Sequence, residues 1–184
     1  MVQALRELIT DINYDEASLR EALSTFRSPR LSSLCDDVTA FLSTNAIVYE
    51  KEDTTRTYIL INDEEWARGN LRIDGYFSIA LKILCFSKEV DDAVISEMFG
   101  GGRASNRVAF LIGQLARSLD APKGTGEFLL NEAQHYIAGV SDVIGGRIIY
   151  LDCEESLVPY YESNGFEFLQ HKHKSPLIQM YKIL

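Results

Sequence analysis

The sequence predicts an α/β protein, and three observations carry the prediction. Apolar residues recur at helical spacing through roughly the first fifty positions. The period then switches to runs of β-forming residues. Between residues 108 and 153 a near-continuous apolar run, a glycine-containing loop, an amphipathic stretch and a second apolar run follow one another as a βαβ unit.

Taken in order, residues 1–26 read as helical, with Asp15 as a cap and Leu19, Ala22, Leu23 and Phe26 at helical spacing. Ser28-Pro29 breaks the pattern. Leu31, Leu34, Cys35, Val38, Phe41 and Leu42 share one face of a second helix, which extends towards Glu50. Arg56 to Asn62 reads as a strand and Asn62-Asp63 as a turn. Ile73 to Cys85 reads as a longer strand, and Gly75 inside it marks a bulge or a close backbone approach. Lys88 to Phe99 is a short amphipathic helix ended by Gly100-Gly101-Gly102.

Val108 to Leu115 is apolar enough for a strand buried on both faces. Asp120 to Gly126 forms a loop, and a helix follows with Leu129, Leu130, Ala133, Tyr136, Ile137 and Val140 on one stripe. Gly145-Gly146 turns the chain into a buried strand, Arg147 to Cys153. A short helix, Ser156 to Asn164, stops at Gly165, and two short strands, Phe166–Leu169 and Leu177–Ile183, finish the chain. No internal repeat or low-complexity tract interrupts this order, so 1–184 reads as a single domain with a helical extension over 1–30.

Composition narrows the class. Eighteen Lys and Arg stand against 27 Asp and Glu, a net charge of −9 over 184 residues, with 46% hydrophobic residues. That balance is globular, and it disfavours a protein that coats nucleic acid or anionic membrane with its whole surface. Three cysteines with no CxxC spacing argue against a disulfide framework and a structural zinc site, and for a reducing cytoplasmic setting. The N-terminus lacks the apolar core of a secretory signal, and the longest near-apolar run, Tyr76 to Phe86, carries Lys82 and is too short to span a bilayer.

The chemistry concentrates in 108–139. A strand that passes through a glycine loop into a helix N-terminus presents unpaired N–H groups and a partial positive charge, an arrangement suited to phosphate. Arg103, Arg107, Arg117 and Lys123 against Asp120 give residues 100–126 a local excess of three positive charges. The same loop also reads as a plain βα turn whose glycines serve packing. It fits neither the GxxxxGKS/T phosphate loop nor the GxGxxG dinucleotide fingerprint.

Two segments resemble the GNAT superfamily of acyl-CoA-dependent N-acetyltransferases. Ala121-Pro122-Lys123-Gly124-Thr125-Gly126 is similar to the family's loop, which reads Gln or Arg, two residues, Gly, one residue, then Gly or Ala. Both glycines are present, and Ala121 stands where the family has Gln or Arg. Ile148 to Cys153, followed by Pro159-Tyr160-Tyr161-Glu162-Ser163-Asn164-Gly165-Phe166, resembles the family's strand and FYEKxGF segment. Asp37 to Leu42, Arg56-Thr57-Tyr58 and Gly75 to Ser78 are similar to a bacterial, often prophage-borne branch that includes toxins acetylating aminoacyl-tRNA.

The resemblance implies a mixed, mostly antiparallel central sheet with helices on both faces, and acetyl-CoA as acyl donor with no metal. It implies that Leu115, Ala116 and Arg117 end a splayed strand whose backbone pairs with the pantetheine arm. N–H groups of Lys123, Gly124, Thr125, Gly126 and Glu127 would hold the diphosphate, and Pro122, lacking an N–H, would not. Tyr161 would protonate the leaving thiolate, and Tyr160 would pack.

No general base is assigned: Asp152, Glu154 and Glu155 read as solvated. His171 and His173 alternate on a strand and could face one metal, but with Lys172 and Lys174 they read better as a surface basic cluster. Cys153 reads as a packed thiol, with an acyl-cysteine route as a distant alternative. The expected reaction is acetyl transfer to a primary amine of a small molecule or protein. Transfer RNA is disfavoured by the net charge, and a non-catalytic coenzyme A-binding module is the competing reading. A homodimer is compatible with either.

Overall fold

A computed structural model describes residues 1–11, 15–29, 35–101 and 106–184. Leu31 and Leu34 of the expected second helix, Gly102 of the triple glycine and Arg103 of the basic cluster lie outside these residues. Among the described residues seven strands form one sheet: β1 (Val2–Ala4), β2 (Arg56–Ile61), β3 (Ile73–Cys85), β4 (Asn106–Arg117), β5 (Ile148–Cys153), β6 (Glu167–His171) and β7 (Ile178–Ile183). Their order is β1-β2-β3-β4-β5-β7-β6. The β1–β2, β2–β3, β5–β7 and β6–β7 ladders are antiparallel, and β4–β5 is parallel. The mixed, mostly antiparallel sheet expected from the sequence is therefore present. The helices are α1 (Leu5–Thr10), α2 (Glu16–Ser24), α3 (Cys35–Thr44), α4 (Ala46–Lys51), α5 (Asp63–Ala67), α6 (Asp92–Phe99), α7 (Thr125–Ile144) and α8 (Val158–Ser163).

The chain divides into two compact units, Met1–Ala80 with Gln114–Ala133, and Leu81–Gly113 with Gln134–Leu184. In the first, α2 is capped by Asp15, whose carboxylate accepts from the Ser18 N–H at 2.9 Å. Leu5, Leu8, Leu19, Leu23, Phe26 and Ile47 from the helical segments bury against Ile59, Ile61, Ile73 and Tyr76 of β2 and β3. Tyr76 is the keystone: its ring meets Phe26 edge-on at 5.4 Å and stacks on Phe41 at 6.1 Å, and its hydroxyl donates to the Val38 carbonyl. The first three strand residues correct the helical reading of 1–26, since Val2–Ala4 pair with Tyr58–Leu60. Asn62 caps α5 by accepting from the Glu65 N–H at 3.1 Å, so the expected turn is a helix start.

Gly75 satisfies both readings made of it. The β2–β3 register shifts at Leu60/Ile61, opposite Gly75. A Cβ on Gly75 would lie 2.5 Å from Leu129 Cδ1 and 2.8 Å from the Ala116 carbonyl oxygen. The Ser118 N–H donates to the Asp74 carbonyl at 2.7 Å, which seats the start of β3 on the end of β4. In the second unit β5 pairs with β7 along its whole length, and β7 with β6. Ile95 and Met98 of α6 cover Leu84, Ile148, Tyr150, Leu169 and Tyr181. Asp91 caps α6, and Gly100, at φ +75°, ends it.

Candidate acyl-transfer site

The parallel β4–β5 ladder is short. Only Phe110↔Ile149 and Leu111↔Tyr150 pair, although β4 continues to Arg117 and β5 to Cys153. Strand edges beyond the last pair carry backbone N–H and C=O groups that a ligand amide can use in the manner of an added strand. Leu115, Ala116 and Arg117 lie on this continuation of β4, with Ala116 buried and the other two half-buried. Arg117 Nη1 donates to the Ser118 carbonyl at 3.2 Å, steadying the strand end. Gln114, one residue earlier, has a buried side-chain oxygen with no donor among the described residues. Sequence reasoning passed over Gln114. A buried carbonyl left unpaired is costly, so an outside donor there is favourable.

The loop after β4 leads into α7. Ala121 is buried, and its N–H donates to the Ser118 carbonyl at 3.2 Å. Thr125 turns back on the loop: its N–H and hydroxyl both donate to the Pro122 carbonyl, at 3.3 and 2.7 Å. The Phe128 N–H donates to the Gly124 carbonyl at 3.0 Å. Among the described residues the first-turn N–H groups of Gly126 and Glu127 show no such loop partner, and they stand at the positive end of a 20-residue helix. Gly124 has φ +93° with open space around it, so its glycine is a backbone requirement. Leu115, Ala116, Arg117, Lys123, Gly124, Thr125, Gly126 and Glu127 thus belong to one unit. The local positive cluster does not: Arg107 belongs to the second unit, where its guanidinium lies 5.9 Å from the Phe99 ring centre.

Tyr161 lies on α8 in the second unit, 8% exposed. Its ring meets Tyr160 at 5.1 Å and Phe166 at 5.8 Å, both edge-on. Burial, helped by the neighbouring Cys153 and Tyr160, raises its phenol above the ordinary range, so it is protonated at neutral pH. Cys153 is 2% exposed, and burial pushes its thiol up to about 11. It is a packed thiol, not a thiolate nucleophile.

Asp152 corrects the solvated reading of the β5 end. It is half-buried, accepts from Lys172 Nζ at 2.5 Å and from Gln179 Nε2 at 2.9 Å. Lys172 is therefore paired within the expected basic cluster, while His171, His173 and Lys174 are exposed. No three His, Cys, Asp or Glu side chains gather to hold a metal ion among the described residues. No helix there is long and apolar enough to cross a membrane.

The mixed, mostly antiparallel sheet in the order β1-β2-β3-β4-β5-β7-β6 is the GNAT-like fold that the resemblance implied. No protein-family model and no curated protein matches the chain. Solved structures do. The chain matches AtaT complexed with acetyl-methionyl-tRNAfMet over 100% of its length and 94% of that protein's, with TM-score 0.71 and 17% identity. A structure described as a bacterial toxin matches with TM-score 0.70 and 14% identity, covering 100% of this chain and 90% of that one. AtaTR bound with acetyl-CoA matches with TM-score 0.67 and 18% identity, covering 97% and 91%.

Proposed function

We propose that the protein is an acetyl-CoA-dependent N-acetyltransferase whose acceptor is the α-amino group of aminoacyl-tRNA. The observation that carries this reading is the full-length fold match to a structure holding an acetylated aminoacyl-tRNA, together with a solved neighbour holding acetyl-CoA. The acceptor differs from the small-molecule or protein amine that the net charge favoured. Net charge argues about the whole surface, whereas binding needs only a local cationic face.

In the proposed reaction the pantetheine arm pairs with β4 at Leu115–Arg117. The diphosphate lies at the Lys123–Glu127 turn, held chiefly by the Gly126 and Glu127 N–H groups. The neutral amine attacks the thioester carbon, and the C–S bond breaks as the tetrahedral intermediate collapses. Tyr161 donates its phenol proton to the departing sulfur. The proton shed by the attacking nitrogen passes through water and restores the phenol. Burial keeps this phenol protonated until the sulfur departs and favours its return to the protonated state afterwards.

Titration with acetyl-CoA and with free coenzyme A tests the donor site. Binding in the micromolar range, abolished in Gly126→Glu, supports it. Absence of binding to the folded protein overturns it and favours a module that has lost its cofactor, a reading to which Ala121 in place of the family's polar residue would then point.

A further inference from the structure

The β6–β7 hairpin carries a basic cluster that acetyl transfer does not use. Residues 168–184 hold three lysines, two histidines and no Asp or Glu, in a chain of net charge −9. Lys182 donates to Gln134 and to the Asn164 carbonyl, and Lys172 pairs with Asp152. His171, His173 and Lys174 are exposed.

The hairpin tip is held in one shape. The Lys172 N–H donates to the Leu177 carbonyl at 2.8 Å, and the Ser175 N–H donates to the Lys172 carbonyl at 3.2 Å. That turn has His173 and Lys174 at its two central positions, with Lys174 at φ +56°, a conformation uncommon outside glycine. Below the tip a chain of hydrogen bonds anchors the strands. Gln170, 7% exposed, accepts from the Ser87 N–H at 2.8 Å and donates to the Cys85 carbonyl at 2.7 Å and to Gln179 at 2.5 Å. Gln179 donates to Asp152, which also holds Lys172.

An exposed aromatic lies beside these cations. Phe168 on β6 is 49% exposed, and its ring meets the His171 ring edge-on at 5.5 Å. Three residues apart on a regular strand, the two side chains would point to opposite faces. The β6–β7 register shifts between Phe168 and Gln170, and the extra residue brings both rings to one side. β6 is also the outer strand of the sheet, two strands beyond β5 and so about 10 Å from it. Cations on a rigid tip meet phosphates, and exposed rings take the faces of unpaired bases. An acidic peptide would use the cations and leave the ring faces idle.

We propose that the Phe168–His171 ring pair and the His173–Lys174 tip form an RNA-binding surface, which stacks one unpaired base of the tRNA on the rings and holds the adjoining phosphates at the tip. This rests on the acceptor class proposed above and gives that acceptor a second point of attachment, outside its reacting end.

The test follows binding of the full chain to labelled, uncharged tRNA as salt is raised, beside its affinity for acetyl-CoA. Lys174→Gln should weaken tRNA binding and lower the slope of log Kd against log salt by about one. Phe168→Ala should weaken it about tenfold with the slope kept, since stacking carries no charge. Phe168→Tyr, which keeps a ring, should bind tRNA as wild type does. Each variant should keep wild-type affinity for acetyl-CoA, which also shows that it is folded. Unchanged tRNA affinity in both Lys174→Gln and Phe168→Ala would overturn the hairpin surface while leaving acetylation of charged tRNA standing. Tighter binding to phosphatidylserine vesicles than to tRNA, lost in the same two variants, would assign the hairpin to a membrane and overturn it as well. A wild type that binds acetyl-CoA but neither binds nor acetylates charged tRNA would instead overturn the acceptor class itself.

Discussion

Tyr161 makes the sharpest residue-scale prediction. Replacing it with Phe removes one oxygen from a packed ring and leaves the contacts with Tyr160 and Phe166 in place. Turnover should fall by about a hundredfold or more, as for loss of a general acid, with acetyl-CoA affinity kept. Because burial raises the phenol, it ionises only above the ordinary value of 10, so kcat should not decline from Tyr161 ionisation up to that pH. A kcat–pH profile of wild type checks this. Glu50 gives a second prediction. It is 4% exposed, accepts from the Thr57 N–H at 2.9 Å and lies 3.3 Å from Arg56. Burial raises its carboxyl above 4.5 despite those partners. The folded protein then holds this proton more tightly than the unfolded chain. Its contribution to stability is present at acid pH and is lost as pH climbs from about 4.5 through the raised value. Denaturant midpoints of Glu50→Gln across that window should fall less with rising pH than those of wild type.

At the scale of elements, β3 pairs with β2 and packs at Gly75 against Leu129 and Ala116. Gly75→Ala would push a methyl into Leu129 and the Ala116 carbonyl, and should cost about 1–3 kcal/mol in a urea melt, as overpacking does. The strand bearing this constraint was legible to the residue: Ile73 and Cys85 are its ends in sequence and structure alike, because a run rich in Ile, Leu and aromatic residues lies between the Gly69-Asn70 turn and the polar segment that begins at Ser87. Val2–Ala4 was not legible. Three residues of an edge strand show no period, and their pairing to β2 crosses more than fifty residues of chain. Asn62 was read as a turn because the same side chain that opens a turn also caps a helix. The loop and Tyr161 were found through short motifs. The early end of the β4–β5 ladder, the orphan oxygen of Gln114 and the Gln170–Gln179–Asp152 chain were hidden, because each depends on residues brought together only by the sheet.

For the whole molecule, the overall charge of −9 sets the terms on which the proposed tRNA acceptor would bind. Acidic surface raises the cost of approaching an RNA over the molecule as a whole, while binding itself draws on local cations. Association with charged tRNA should therefore be weak and steeply salt-dependent, whereas acetyl-CoA binding, held by backbone groups and one diphosphate, should change much less between low and physiological salt. The most direct measurement supplies the purified protein with labelled acetyl-CoA and total charged tRNA, releases the amino acids by mild alkali and identifies those that carry the label. Labelled N-acetyl amino acids from wild type, and about a hundredfold fewer from Tyr161→Phe, are the predicted result. Protein that binds acetyl-CoA but leaves every charged tRNA unlabelled would contradict the account.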